Sequence, residues 1–196
     1  GAMAIRKIAQ MGNPVLRMRA PEVPPEEIGS ARIQTLIDDM IETMRDANGA
    51  GIAAPQVHES LRMAVIEVHG NPRYPDFPGI PLSVLVNPIV EPLVAVDPLD
   101  DRDAIVMYEG CLSVDGIRGR VRRPRVVRVR GLDREGRPVD FTWEGLRSAV
   151  VQHETDHLDG ILFIDRADPR SLAFIGEYDR YVPREERMVD GVELVE

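Results

Sequence analysis

The chain has 196 residues, 43% of them hydrophobic, and a formal net charge of −9. These values fit a globular chain with a sizeable core, expected as a single domain over residues 1–196, and the acidic balance excludes an extended phosphate-tracking surface. A single cysteine excludes an intramolecular disulfide; with no apolar run near ~20 residues and no secretory h-region, a cytoplasmic location without a membrane partner is expected.

Gly1-Ala2 ahead of Met3 reads as a tag remnant. Residues 4–25 read as a short extended piece, a turn at Gly12-Asn13-Pro14 and a proline-broken segment over the surface, without catalytic signal. Ile33, Leu36, Ile37, Met40, Ile41 and Met44 repeat at helical spacing, with Ser30 as N-cap and Asn48-Gly49 as the stop, which predicts a core-facing helix. Residues 49–56, GAGIAAPQ, keep side-chain bulk low and end in a long amide: a place for a backbone to approach a ligand, or simply a helix end turning into a strand. The glycines do not continue as a dinucleotide or P-loop fingerprint.

Residues 62–68 alternate as a strand, 71–81 form a proline-rich loop, and one or two strands follow up to Val96. The acidic stretch 97–103 lacks the glycine and terminal glutamate of a calcium loop and reads as a solvated turn. A strand over 104–110 leads into Cys111, which is either a small buried hydrophobe or a candidate thiolate ligand or nucleophile. Residues 121–133 alternate cleanly, turn at 133–136 and are answered by 137–144, a hairpin with its arginines on the solvent face. Without interleaved aromatics or a basic whole, that face gives no direct nucleic-acid readout.

Residues 152–160, QHETDHLDG, carry His153, Glu154 and His157. On a helix, positions i and i+4 lie about 40° apart, so the two imidazoles project together as a metal pair, and Glu154 sits about 100° from His153. A carboxylate there is placed to handle the protons of a metal-activated water. Leu146, Ala149 and Val150 fall on the face of the two histidines, so that face points inward over a helix of residues 144–160. The third ligand stays open at this point, because zincin proteases share the His-Glu-x-x-His spacing. After the helix, residues 162–166 are expected to add an edge strand, and 168–196 mix charges with little periodicity.

Three stretches now stand in order: GAGIAAPQ, EGCLS at 109–113, and QHETDHLDG. Together they resemble the three signature motifs of peptide deformylase, over residues 13–165. The resemblance implies an α+β fold with antiparallel sheets packed around a central metal-binding helix. It implies an enzyme that removes the formyl group from N-formylmethionyl peptides of nascent chains and releases formate. It places the metal ligands on Cys111, His153 and His157 and the catalytic carboxylate on Glu154, with Gln56 and the backbone N–H of Leu112 stabilising the oxyanion. It also puts Gly51 and Arg118 beside the substrate peptide, and Leu146, Ala149 and Val150 are positioned to line a methionine pocket or to serve as plain core. The Cys-His-His set suits Zn²⁺ and Fe²⁺ alike; the resemblance implies native Fe²⁺, with Zn²⁺, Ni²⁺ or Co²⁺ as substitutes. The divergent tail over 168–196 does not continue as a long helix, which speaks against a ribosome contact made through it. A zincin-type metallopeptidase and a catalytically silent metal-binding module are the competing readings. EGCLS opposes the first, and the intact Glu154 and Gln56 oppose the second.

Overall fold

The computed structural model describes residues 4–70, 73 and 77–194. It is an α+β structure in which every strand pairing is antiparallel. The first helix, α1 (Ala31–Asp46), has the predicted face buried, and the Ser30 hydroxyl accepts from the Ile33 N–H at 3.3 Å. Asn48 takes the left-handed conformation that stops it (φ 54°). Strands β1 (Gly51–Ala53), β2 (Met63–His69) and β3 (Gly79–Pro92) follow, β3 being one long strand with a shift of register between Val86 and Ile89. The loop expected over 71–81 falls partly on residues outside those described, and its last three residues already belong to β3.

Strands β4 (Ala104–Cys111) and β5 (Val114–Pro124) form a hairpin, and β6 (Val126–Leu132) and β7 (Pro138–Glu144) form another. One sheet runs β1-β2-β3-β6-β7; the other contains β4, β5 and the short β8 (Ala173–Phe174). The single alternating strand expected over 121–133 is therefore two strands in different sheets. Val121, Arg123, Val127 and Val129 are all buried odd-numbered positions on either side of the partly exposed Arg125, so the parity of the alternation is kept through the change of sheet and hides it. The change is pinned from α2 (Leu146–Leu158), where the Ser148 hydroxyl and the Gln152 amide donate to the Pro124 carbonyl at 2.8 and 2.9 Å.

Helix α2 lies between the two sheets and contacts β1, β2, β3, β5 and β7. Residues 162–166, expected as an edge strand, instead form the short helix α3 (Phe163–Arg166), with Leu162 and Phe163 sunk into the core. The Asp165 carboxylate accepts from the Leu162 N–H at 2.9 Å and pairs with Arg17, so the charged residues of this stretch cap a helix turn. The tail folds too, as α4 (Ile175–Tyr181) and α5 (Arg184–Arg187) followed by a Val189–Val192 bridge. No described helix is long and apolar enough to cross a membrane.

Burial disfavours the Asp165 charge, but Arg17 and the Leu162 N–H outweigh it and hold the carboxyl below its usual range. Asp165→Ala is expected to cost about 1 kcal/mol at pH 7, the worth of a cap. A depressed carboxyl contributes its stability above the unfolded value of about 3.9 and loses it as pH falls through the folded value, so the difference between variant and parent should shrink in urea unfolding as the solution is acidified through that range.

Candidate metal centre

Strand alternation buries Ile105, Met107, Glu109 and Cys111 along one face of β4. Cys111 is the last residue of the strand, and a turn at Leu112-Ser113 leads into β5. That turn aims the Cys111 sulfur at α2, where His153 and His157 lie one helical turn apart with ring centroids at 5.3 Å. One ligand atom from each of the three residues lies within 4.8 Å of the others, and Cys111 Sγ is 3.4 Å from His157 Nε2.

Glu109, two residues before the cysteine and on its face, meets His153 Nδ1 at 2.8 Å. Burial opposes the Glu109 charge, but Arg123 and His153 overcome it and hold the carboxyl at about 2. Being ionised, it only accepts, so His153 carries its proton on Nδ1 and turns Nε2 toward the cysteine. Arg123 grips Glu109 with both arms at 2.7 and 2.9 Å and reaches Asp156 at 2.9 Å, and Arg166 holds Asp156 from outside. Burial works against the Arg123 charge too, yet Glu109 and Asp156 raise its pKa further. The expectation that the arginines of this strand all face solvent fails at Arg123, which is 2% exposed because it pairs inward with Glu109 and Asp156. Burial lowers the His153 pKa, and the contacts with Cys111 and Glu109 reverse that and raise it well above normal, so the local field favours positive charge. His157 is pushed well below normal by burial and then by His153, which keeps its ring neutral and able to donate a lone pair. A soft sulfur and two oriented imidazoles in a field favouring a cation are a fitting donor set for a divalent metal.

Gln56 stands beside this group on a 3-10 turn (Ala54–Val57) whose second residue, Pro55, suits the start of a helix. Its Oε1 accepts from the Ala53 N–H at 2.8 Å, which points its NH₂ at Cys111 Sγ (3.7 Å) and the Ser113 hydroxyl (3.1 Å). Gly51 passes so close to α2 that a Cβ there would stand 2.7 Å from three atoms of the Glu154 side chain. The amino-terminal segment, expected merely to cross the surface, braces these pieces: Ala9 N–H donates to Gln56 O, Met11 N–H to Ser113 O, and the Gln10 amide to Leu112 O.

A family model described as polypeptide deformylase matches residues 5–173. The chain belongs to this family. Peptide deformylase of Leptospira biflexa is 42% identical over 171 residues, covering 87% of this chain and 92% of the relative. Peptide deformylase 1 of Bordetella pertussis is 43% identical, covering 83% and 87%. Among solved structures, the Met-Ala-Ser-bound class I type b peptide deformylase from Acinetobacter baumannii superposes with a TM-score of 0.74 at 39% identity, over 84% of this chain and 99% of that one. A peptide deformylase from Legionella pneumophila gives 0.70 at 36% identity over 92% and 99%. The deformylase family is metal-dependent, and the activity is hydrolytic removal of N-terminal formyl groups from nascent polypeptides.

Around the metal group of this deformylase, a cleft is lined by Ala149, Val150, His153 and Glu154 from α2 and by Met107, Tyr108, Gly110 and Arg118 from the β4–β5 hairpin. Arg118 is buried, and Gly110 leaves the space its guanidinium fills. Leu146, expected with Ala149 and Val150 at the pocket, is not among the lining residues; it is buried in the core cluster that also contains Ile66 and Val127. It lies a full turn further from the histidines than Val150, which explains the difference. Glu109 and Arg123 were missed in the sequence, although both were signalled: each lies two residues along a strand from a position recognised as buried or metal-facing.

Two outcomes follow for the deformylase. Arg123→Met strands the buried Glu109 carboxylate, Asp156 keeping Arg166, and is expected to destabilise the fold by about 3–5 kcal/mol in urea unfolding, with part recovered in the Glu109→Gln/Arg123→Met double variant. Gly51→Ala must displace the Glu154 carboxylate, so kcat for formate release should fall at least about tenfold with circular dichroism unchanged.

Proposed function

We propose that Cys111, His153 and His157 hold one divalent cation, natively Fe²⁺, with Zn²⁺, Ni²⁺ or Co²⁺ able to take its place. The observation that carries this is the convergence of their donor atoms within 4.8 Å beside Glu154 and Gln56. Such a cation supplies Lewis acidity and lowers the pKa of water at the site. Glu154, buried on the same helix, takes a proton from the attacking water and returns it to the departing amine. The Gln56 NH₂, oriented from behind by the Ala53 N–H, donates with the Leu112 N–H to the oxygen of the formyl group as charge develops on it. The Gly51 backbone pairs with the extended peptide, Arg118 lies alongside it, and Ala149 and Val150 receive the methionine side chain.

The substrates of this reading are N-formylmethionyl peptides of nascent chains in the cytoplasm. Among the described residues the tail forms no long helix: α4 has 7 residues, and Val189, Val192 and Leu194 pack back on the core. A formyl carbon bears only hydrogen where an acetyl carbon bears a methyl, and overpacking of about 1–3 kcal/mol converts to roughly ten- to a hundredfold discrimination. Formate release from formyl-Met-Ala should therefore exceed acetate release from acetyl-Met-Ala by at least that factor. Glu154→Gln should keep its metal by elemental analysis and lose turnover, whereas Cys111→Ala should lose metal. Equal metal loss in the two folded variants, or comparable rates on the two peptides, would defeat the proposal.

A further inference from the structure

The family match ends at residue 173, yet the cleft beside His153 and Glu154 is completed by residues beyond it, Tyr178 and Leu194. We infer that residues 174–194 are a strap forming the outer wall of the first side-chain pocket, and that the Tyr178 ring sets the size of apolar side chain this pocket accepts. This rests on the reading of that cleft as the peptide's side-chain pocket.

The strap is anchored at both ends of its path. Near its start, Tyr178 is 7% exposed and meets Tyr108 edge-on, with ring centroids at 5.3 Å. Arg187 lies over that ring at 4.5 Å and donates to the carbonyls of Tyr178, Asp179 and Val182 at 2.7–2.9 Å, locking α4 against α5. Near its end, Val189, Val192 and Leu194 pack on the core cluster containing Ala149 and Val150. Asp190, at a left-handed turn with Gly191, accepts from the Leu146 N–H at 2.9 Å. Helix α2 begins at Gly145, which has no side chain to cap it, so a carboxylate from the strap caps the helix that carries the metal group. The wall it presents is apolar and aromatic, suited to an unbranched apolar side chain and closed to a charged one.

The test compares the parent, Tyr178→Ala, Tyr178→Phe and Leu194→Ala as full-length, metal-loaded protein. It measures kcat and KM on formyl-Met-Ala-Ser and formyl-Phe-Ala-Ser, and dissociation constants for the product peptides Met-Ala-Ser and Phe-Ala-Ser. Tyr178→Ala should raise KM for the methionine substrate about tenfold with kcat nearly unchanged, and shift the Phe:Met ratio of kcat/KM toward phenylalanine about fivefold or more. Leu194→Ala should shift the ratio in the same direction by less, and Tyr178→Phe should keep the parental ratio, since the ring and not the hydroxyl forms the wall. Parental ratios in Tyr178→Ala and Leu194→Ala overturn the inference, and Leu194→Ala decides alone where Tyr178→Ala fails to fold. A parent that binds the products but releases no formate sinks the reading of the centre, while the product-peptide ratios still decide the strap.

Discussion

The buried pair between Glu109 and Arg123 is the interaction on which the centre depends. Glu109 sits on the strand that delivers the cysteine and Arg123 on its hairpin partner, and through His153 and Asp156 the pair grips the helix that delivers both imidazoles. Two charges withdrawn from water cost several kcal/mol each unless geometry and further hydrogen bonds offset it. Here both oxygens of Glu109 and both faces of the Arg123 fork are engaged, so the cost is met by contacts that also fix the His153 tautomer. An apolar pair of equal volume would hold the sheet to the helix as firmly, but would leave the ring free to turn over.

Around this pair the other pieces are held by backbone contacts that reach across the sequence. Residues 9–11 stitch the turn carrying Gln56 to the turn after Cys111, placing two stretches more than fifty positions apart in one rigid frame. The orientation of the Gln56 amide is decided in the same way, by a neighbouring N–H that only an oxygen can satisfy. Loops positioned so firmly lose little further freedom when a peptide binds, which leaves more of the binding energy for the reacting group.

Much of this was legible in the sequence, for reasons that differ from element to element. Helix α1 announced itself by a helical stripe with a cap at one end and an Asn-Gly stop at the other. Helix α2 announced itself by the spacing of its histidines, and β4 by alternation into the cysteine. What stayed hidden was nonlocal. Two strands meet around Arg125, and over the expected strand the buried residues on both sides of it, Val121, Arg123, Val127 and Val129, are all odd-numbered, so a count of alternation does not find the break. Residues 163–166 have strand composition, but the capping carboxylate of Asp165 and the burial of Phe163 make a helix turn of them. The tail lacks periodicity because its order comes from single anchors: one ring, one guanidinium and one capping carboxylate.

Helix α2 shows how far the centre departs from an ordinary core helix. Its buried residues include Ser148, His153, Glu154 and His157 alongside Leu146, Ala149, Val150 and Val151, so polar groups are enclosed on the same helix as the apolar ones. A helix held by one apolar stripe leaves its opposite face in water. This one is enclosed between two sheets, and each enclosed polar group then needs its own arrangement: Pro124 O for Ser148, Glu109 for His153, and an open backbone at Gly51 for Glu154. Its first turn, begun at a glycine, takes its cap from a residue 44 positions away. The placement of the chemistry is thus inseparable from the enclosure of the helix, since the charge balance at His153 depends on water being kept from its buried side.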